Sequence, residues 1–279
     1  MQKIIAAFDG LKFSDSTSDY AIELSKKSKS HLVGIFLDDR TYTSYKIYDL
    51  VLDQGVSEKR LHSFKEKDIN KRSISANKFD LACRTSAIEY NIHHDRNVAL
   101  QDLLHETIFA DYLILNFTET FSHYEEKSPS RFVKDVLSNT QCPILLVPKE
   151  HKDVEKIIFL YDAQPTSVYA IKMFAYLLSF YHNLPIEVVC TRSIEENLHL
   201  PHNALLKELL KRHYKDISFT VLKGIPEVEI INHLKNEKKN ILAVLGAYRR
   251  TMLSRWFKSS LADAIINELN IPLFIAHNK

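Results

Sequence analysis

Basic and hydroxyl side chains gather in one short segment near the end of the chain. Its four cations are Arg249, Arg250, Arg255 and Lys258. The segment leads into Ser260, which we expect to begin a helix, and helix N-termini favour anions. Guanidinium and ammonium groups also bind phosphate oxygens. A modified phosphate site is one interpretation of this pattern; a small nucleic-acid patch that includes Trp256 and a solvated surface are the others.

Two aspartates stand at matching places in the chain. Asp9 closes the apolar run 3–8, and Asp162 closes the run 156–161. A carboxylate at such a place accepts hydrogen bonds from the backbone N–H groups of a loop or of a following helix. Capping of this kind needs no ligand, so the residues alone leave capping and ligand binding open for both aspartates.

No other group of residues carries a recognisable catalytic signature. His93, His94 and Asp95 are adjacent, and neighbouring strand residues point to opposite faces, so we expect a solvated loop here and no metal site. The nucleophile pattern G-x-S-x-G is absent from the sequence. The three cysteines are far apart and include no C-x-x-C pair, so we expect reduced thiols.

The elements that must position these residues follow an alternating pattern. Short apolar runs are separated by amphipathic stretches, which predicts parallel strands crossed by helices. Ser14 is placed to cap a helix whose buried face is formed by Thr17, Tyr20, Ala21 and Leu24. The expected strands are 3–8, 32–37, 88–92, 112–116 and 144–147, then 156–161, 186–191, 217–222, 241–245 and 272–276.

The chain also contains an internal repeat. Asp162 follows Asp9 by 153 residues, whereas the later match of Ser259 with Ser130 has a spacing of 129 residues. The first half therefore has 24 additional residues, which we place within 40–80. Their basic stretch from Lys59 to Arg72 is expected to be helical. We infer two domains, 1–150 and 151–279.

Composition narrows the class of protein. With 45% apolar and 26% charged residues the chain can bury a full core, and it contains no apolar run long enough for a membrane span. Its start also lacks a signal-peptide core, so we expect a cytoplasmic protein. A net charge of +2 gives no overall attraction to nucleic acid or membrane, and only five glycines are available for phosphate loops.

Five features, in order, resemble the universal stress protein family in a tandem two-domain form. They are Asp9-Gly10 with Ser14 beyond, the helix 20–27, the strand 241–245 leading into Gly246, Ser259-Ser260 opening a helix, and Pro272 before the last apolar strand. The likeness spans nearly the whole chain. It implies two tandem doubly wound α/β domains, each a parallel five-stranded sheet of strand order 3-2-1-4-5. ATP would lie at the C-terminal ends of strands one and four, where the strand order reverses.

The resemblance assigns the nucleotide loop to the second half. The family motif is G-x-x-G, nine residues, then G and Ser or Thr; it aligns with Gly246, Arg249, Ser259 and Ser260. Two of the three glycines are replaced, which should crowd the phosphate cradle. In the first half the same places hold Phe117, Thr120, Ser130 and Arg131, so we expect no ATP binding there in the family manner. Asp9 and Asp162 occupy the place of the family's carboxylate near the base and ribose.

Three functions are compatible with these residues. The first is a non-enzymatic stress-response module that binds ATP, with Mg²⁺, through its second domain. The second is a protein that slowly hydrolyses ATP, in which Arg249 and Ser260 contact phosphate and Asp162 holds the nucleoside. The third is an interaction scaffold with both nucleotide sites lost. The resemblance also implies pseudo-twofold pairing of the two domains through their last strands, a homodimer, and protein partners that remain unidentified.

Overall fold

The computed structural model describes residues 1–38, 43, 58–95, 97–121, 126–193, 195, 199–246 and 260–277. By their contacts they form two compact units, Met1–Gln141 and Cys142–Lys279. The sequence places the domain boundary after residue 150. The difference is the strand Ile144–Val147, whose partner strand lies in the second unit. A contact-based unit need not fold alone, so the two domains stay a prediction.

In its described residues, the first unit contains four parallel strands and four helices. Its strands are β1 (Lys3–Phe8), β2 (His31–Leu37), β3 (Tyr90–Asp95) and β4 (Tyr112–Asn116). Its helices are α1 (Asp15–Ser28), α2 (Glu58–Thr85), α3 (Ala99–Thr107) and α4 (Arg131–Asn139). The strand order is β3-β2-β1-β4, with Phe8 beside Phe36 and Ala6 beside Ile114. Because these strands are parallel, their carboxyl ends meet at one edge, and the order reverses between β1 and β4.

The second unit repeats this arrangement. Its strands are β5 (Ile144–Val147), β6 (Lys156–Leu160), β7 (Ile186–Arg192), β8 (Ile217–Lys223), β9 (Ile241–Gly246) and β10 (Leu273–Ala276). Its helices are α5 (Pro165–Leu177), α6 (Asn203–Lys211), α7 (Pro226–Lys235) and α8 (Ser260–Leu269), with a short 3-10 turn at Ser179–Tyr181. β6 lies between β9 and β7, and both pairings are parallel.

The predicted strand order 3-2-1-4-5 is confirmed. It appears in full as β8-β7-β6-β9-β10 within the second unit, and its first four strands appear as β3-β2-β1-β4 within the first. One pairing departs from the parallel pattern: within the second unit, β5 lies antiparallel to β10, with Leu146 opposite Leu273. Both strands are fully buried, which is typical of sheet covered on both faces.

Local sequence signals explain the helices that border the sites. Ser14 caps α1 by accepting a hydrogen bond from Thr17 N at 3.2 Å, and the predicted apolar face is buried. The basic stretch 59–72 lies within α2, so its predicted helix is confirmed. Among the described residues, no helix is both long and apolar enough to cross a lipid bilayer.

The predicted loop at His93-His94-Asp95 is wrong, because these residues end β3. Their strand begins two residues later than expected and contains only half-exposed and exposed positions, as a first or last strand of a sheet does. His93 contacts Glu106 at 2.9 Å, and His94 contacts Asp38 at 3.2 Å. The two imidazoles therefore engage different carboxylates, in agreement with their placement on opposite faces.

Candidate functional site

We call the place where the strand order reverses the switch point of each half. In the second half it lies between β6 and β9, and it begins with Asp162, directly after β6. Oδ1 of Asp162 accepts a hydrogen bond from Gln164 N at 3.0 Å, and the side chain is half-buried. Between them Ala163 has a φ of 65°, which turns the chain sharply away from the strand. Gln164 then occupies the N-cap position of α5, and Pro165 lies in the first turn of that helix. Asp162 is thus held at the carboxyl edge of the sheet by a local turn.

Gly246 ends β9, the neighbour of β6 at this switch point. A Cβ added to Gly246 would lie 2.5 Å from Ser167 N and 2.6 Å from Thr166 O, both in the first turn of α5. Backbone atoms cannot yield as a flexible side chain does, so only glycine fits this position. The close approach of helix and strand therefore explains Gly246 without any ligand.

The structure describes little of the remaining residues of the predicted phosphate loop. Arg249 and Ser259 are outside the described residues, as are the other cations of segment 249–258. Ser260 begins α8, but its side chain is not described. The structure therefore fixes the two ends of the predicted phosphate loop, the last residue of β9 and the first of α8.

The strand next to β6 brings a cation to the same edge. Tyr161 N donates to Val189 O, so the register places Arg192, the last residue of β7, near the level of Asp162. In the first unit Phe8 pairs with Phe36, and the residue at the level matching Arg192 is Asp38. The residue at this level is therefore acidic in the first half and basic in the second.

The first-half switch point is filled by the chain's own acids. Asp9 is 1% exposed, and its Oδ1 accepts a hydrogen bond from Leu11 N at 2.8 Å. Glu119, in the loop after β4, is 6% exposed. Burial raises the pKa of Glu119 well above its usual value, the negative charge of Asp9 raises it further, and Lys12 lowers it. A second negative charge would be unfavourable at this place.

Hydrogen bonds fix the loop that carries Glu119. Asn116 ends β4 and donates from Nδ2 to Ser14 Oγ at 3.2 Å, while its Oδ1 accepts from Thr118 N at 2.9 Å. The hydroxyl of Ser130 donates to the Glu119 carbonyl, and its oxygen accepts from Val133 N to cap α4. The loop is thereby tied to both neighbouring helices.

Helix α2 covers the same edge of the first unit. Arg72 Nη1 lies 2.7 Å from Asp38 Oδ1, and both side chains are largely buried. Ser75 Oγ donates to Gly10 O at 2.7 Å, directly after Asp9. A Cβ on Gly10 would lie 3.0 Å from Arg72 Cγ, so helix and loop are in close contact. The first-half edge is thus covered by protein.

The chain is similar to known universal stress proteins in sequence and in fold. No protein-family model matches the chain. A universal stress protein of Synechocystis is 19% identical over 98% of this chain and 99% of its own length. The crystal structure of a universal stress protein from Archaeoglobus fulgidus covers 99% of this chain and 96% of its own, with a TM-score of 0.71 and 11% identity. A putative universal stress protein from Pseudomonas aeruginosa gives a TM-score of 0.62 at 11% identity, covering 99% of this chain and 93% of its own.

The resemblance to the universal stress protein family is confirmed. It extends over both halves, because the relatives are matched along nearly their full lengths. Within the universal stress protein layout, Asp9 and Asp162 stand at the ends of the first strands, and each accepts a hydrogen bond from the N–H two residues further on. The capping interpretation therefore describes both aspartates, and the ligand role of either stays a prediction.

Sequence reasoning missed the residues that fill the switch point of the first half. Glu119 was passed over because it lies at a variable position of the family loop, between Phe117 and Thr120. Arg72 belongs to the inserted segment and Asp38 to the end of β2, and neither has a local signal. An acidic residue inside a phosphate-loop position was the one clue available, since it disfavours an anion.

Proposed function

We propose that the chain acts as a cytoplasmic stress-response module that binds one ATP, with Mg²⁺, at the second-half switch point and is not an enzyme. The contrast between the two switch points supports this proposal. The first is filled by Asp9, Glu119 and helix α2, whereas the second has a half-buried Asp162 with Arg192 at the end of the next strand.

The second-half residues fit a nucleotide chemically. Asp162 supplies a carboxylate that can accept hydrogen bonds from ribose hydroxyls. The cations of 249–258, with the start of α8 at Ser260, supply the positive charge that a triphosphate requires. Gly246 keeps the end of β9 free of a side chain. ATP and Mg²⁺ would bring the phosphate groups, and these residues would bind and orient them.

Titration with a fluorescent ATP analogue in the presence of Mg²⁺ tests this assignment. Asp162→Asn should weaken binding about tenfold, because the amide accepts hydrogen bonds less strongly than the carboxylate. Asp216→Asn is the matched control: Asp216 is an exposed aspartate that precedes β8 at the opposite edge of the sheet, and its variant should bind as the wild type does. Equal affinities for both variants would contradict the site.

A scaffold with both nucleotide sites lost is the second candidate. It is favoured by Gly246, whose identity is explained by packing against α5 alone. The same titration decides between the two, since a wild-type protein that gives no signal up to millimolar analogue supports the scaffold. Phosphate release from bound ATP would instead support the slow hydrolysis considered from the sequence.

A further inference from the structure

Helix α2 presents a regular stripe of side chains to solvent. The stripe, called the α2 seam below, consists of Lys67, Lys71, Ile74, Lys78 and Leu81, all exposed. Its spacing of four, three, four and three residues places all five on one side of the helix, as in the contact stripe of a coiled coil. Ile74 and Leu81 each keep 66% of their surface exposed, one heptad apart.

The opposite face of α2 holds the helix in place. Ser75, Ala76, Phe79 and Cys83 are buried, and Phe79 lies 5.0 Å from Phe8 between ring centroids. The seam is therefore presented on an ordered helix that has no freedom to turn its aliphatic residues inward. A partner would bind this surface without first having to fold it.

The charges along the seam select the kind of partner. The seam contains three lysines and no acid, and the neighbouring positions Ser63, Asn70 and Asn77 are exposed and uncharged. Lys78 is held beside Asp15 at 2.5 Å and lies over the ring of Phe13. A second copy of the seam would bring lysines against lysines, which is unfavourable. Two aliphatic residues in a narrow line also offer less apolar area than a helix needs to lie in a bilayer.

We propose that the α2 seam docks an acidic amphipathic helix of a partner protein. Apolar residues of that helix pack on Ile74 and Leu81, and its carboxylates face Lys67 and Lys71. Such pairing of a lysine-containing stripe with an acidic one sets partner choice and register in coiled coils. This surface is separate from the nucleotide site proposed above and does not depend on it.

The test uses this chain and a labelled acidic helical peptide of about four heptads. Each heptad of the peptide has leucine at one core position and glutamate at the positions beside it. Fluorescence anisotropy should show binding that weakens about tenfold in Ile74→Ser and in Leu81→Ser. Ile69→Ser is the matched control: Ile69 is also 66% exposed but lies about 140° around the same helix, and its variant should bind as the wild type does. All three positions are exposed, so thermal unfolding should be unchanged.

Four outcomes overturn the proposal. The first is no binding of the peptide, and the second is equal binding of a scrambled peptide of the same composition. The third is an equal loss of peptide affinity in Ile69→Ser and Ile74→Ser. The fourth is that the α2 seam binds a membrane or a second copy of the chain. The last is detected in two ways. Sedimentation with vesicles of phosphatidylcholine and phosphatidylserine that is lost in Ile74→Ser identifies a membrane surface. Dimerisation that is lost in Ile74→Ser identifies a second copy.

Discussion

At the scale of single residues, Glu119 distinguishes the two halves. A buried carboxyl is costly when ionised, and Asp9 adds repulsion to the cost of burial, so the folded protein favours a proton on Glu119. The second half has Gly246 at the end of the equivalent strand, and the loop that follows is rich in cations. The buried acid pair of Asp9 and Glu119 thus makes the first switch point unsuited to an anion.

The raised pKa of Glu119 predicts a pH-dependent stability. The folded state keeps a proton on Glu119 that the unfolded state loses near pH 4.5. The contribution of Glu119 to the free energy of unfolding is therefore complete below that pH and falls as the pH rises towards the raised pKa. In the wild type, this effect should lower the free energy of unfolding by up to about 1.4 kcal/mol per pH unit. In Glu119→Gln this decrease should be absent. Urea unfolding between pH 5 and 8 measures it. The exposed Glu89→Gln is the control, and identical pH slopes for wild type and Glu119→Gln would refute the prediction.

At the scale of elements, helix α2 distinguishes the first half, because it covers the carboxyl edge of the sheet. The helix connects β2 to β3, yet its middle lies on the edge residues Gly10 and Asp38 through Ser75 and Arg72. Its anchor is Phe79, fully buried against Phe8 and Phe36. The same helix therefore covers the switch point with one face and presents the α2 seam with the other.

The contact between Phe79 and Gly34 predicts energetic coupling. A Cβ on Gly34 would lie 2.4 Å from a ring atom of Phe79, so Gly34→Ala should destabilise the protein by about 1–3 kcal/mol through overpacking. Phe79→Ala should cost about 3–5 kcal/mol because it leaves a cavity. In the Phe79→Ala background the added methyl has room, and Gly34→Ala should be close to neutral. Denaturant unfolding of the double-mutant cycle measures this coupling, and additive losses would show that the two residues do not meet.

At the scale of the whole molecule, one fold occurs twice with different side chains at its switch points. Asp38 in the first half occupies the level that Arg192 occupies in the second. The two sheet edges are equivalent in topology, and the different side chains at those edges make them chemically different. A tandem chain of this kind can dedicate one edge to a ligand and use the other for packing, which agrees with the function proposed for it.

This asymmetry predicts the stoichiometry of nucleotide binding. Isothermal titration with ATP and Mg²⁺ should give about one site per chain, since the first edge is covered by α2 and carries a buried acid pair. Asp162→Asn should weaken the single isotherm. A stoichiometry near two, or a full-strength site that survives in Asp162→Asn, would show that the first half binds nucleotide.

Much of the architecture was determined by the sequence alone. Alternating apolar and amphipathic stretches, the cap at Ser14 and the repeat from Asp9 to Asp162 predicted the strands and the first helix, and the family resemblance implied the strand order. These signals are local, because burial of a strand and capping of a helix depend on residues close together in the chain. Strand β3 was placed two residues early, since its polar histidines lie on a strand that is only partly covered.

Only the tertiary structure decided what lies at each strand end. Arg72 meets Asp38, and Ser75 meets Gly10, across long separations in sequence that no periodic pattern records. The burial of Glu119 and the fit of Gly246 against α5 likewise depend on which elements pack together. The physical reason is that side-chain environment, and with it pKa and steric room, is set by contacts between distant segments, whereas the elements themselves are set by near neighbours.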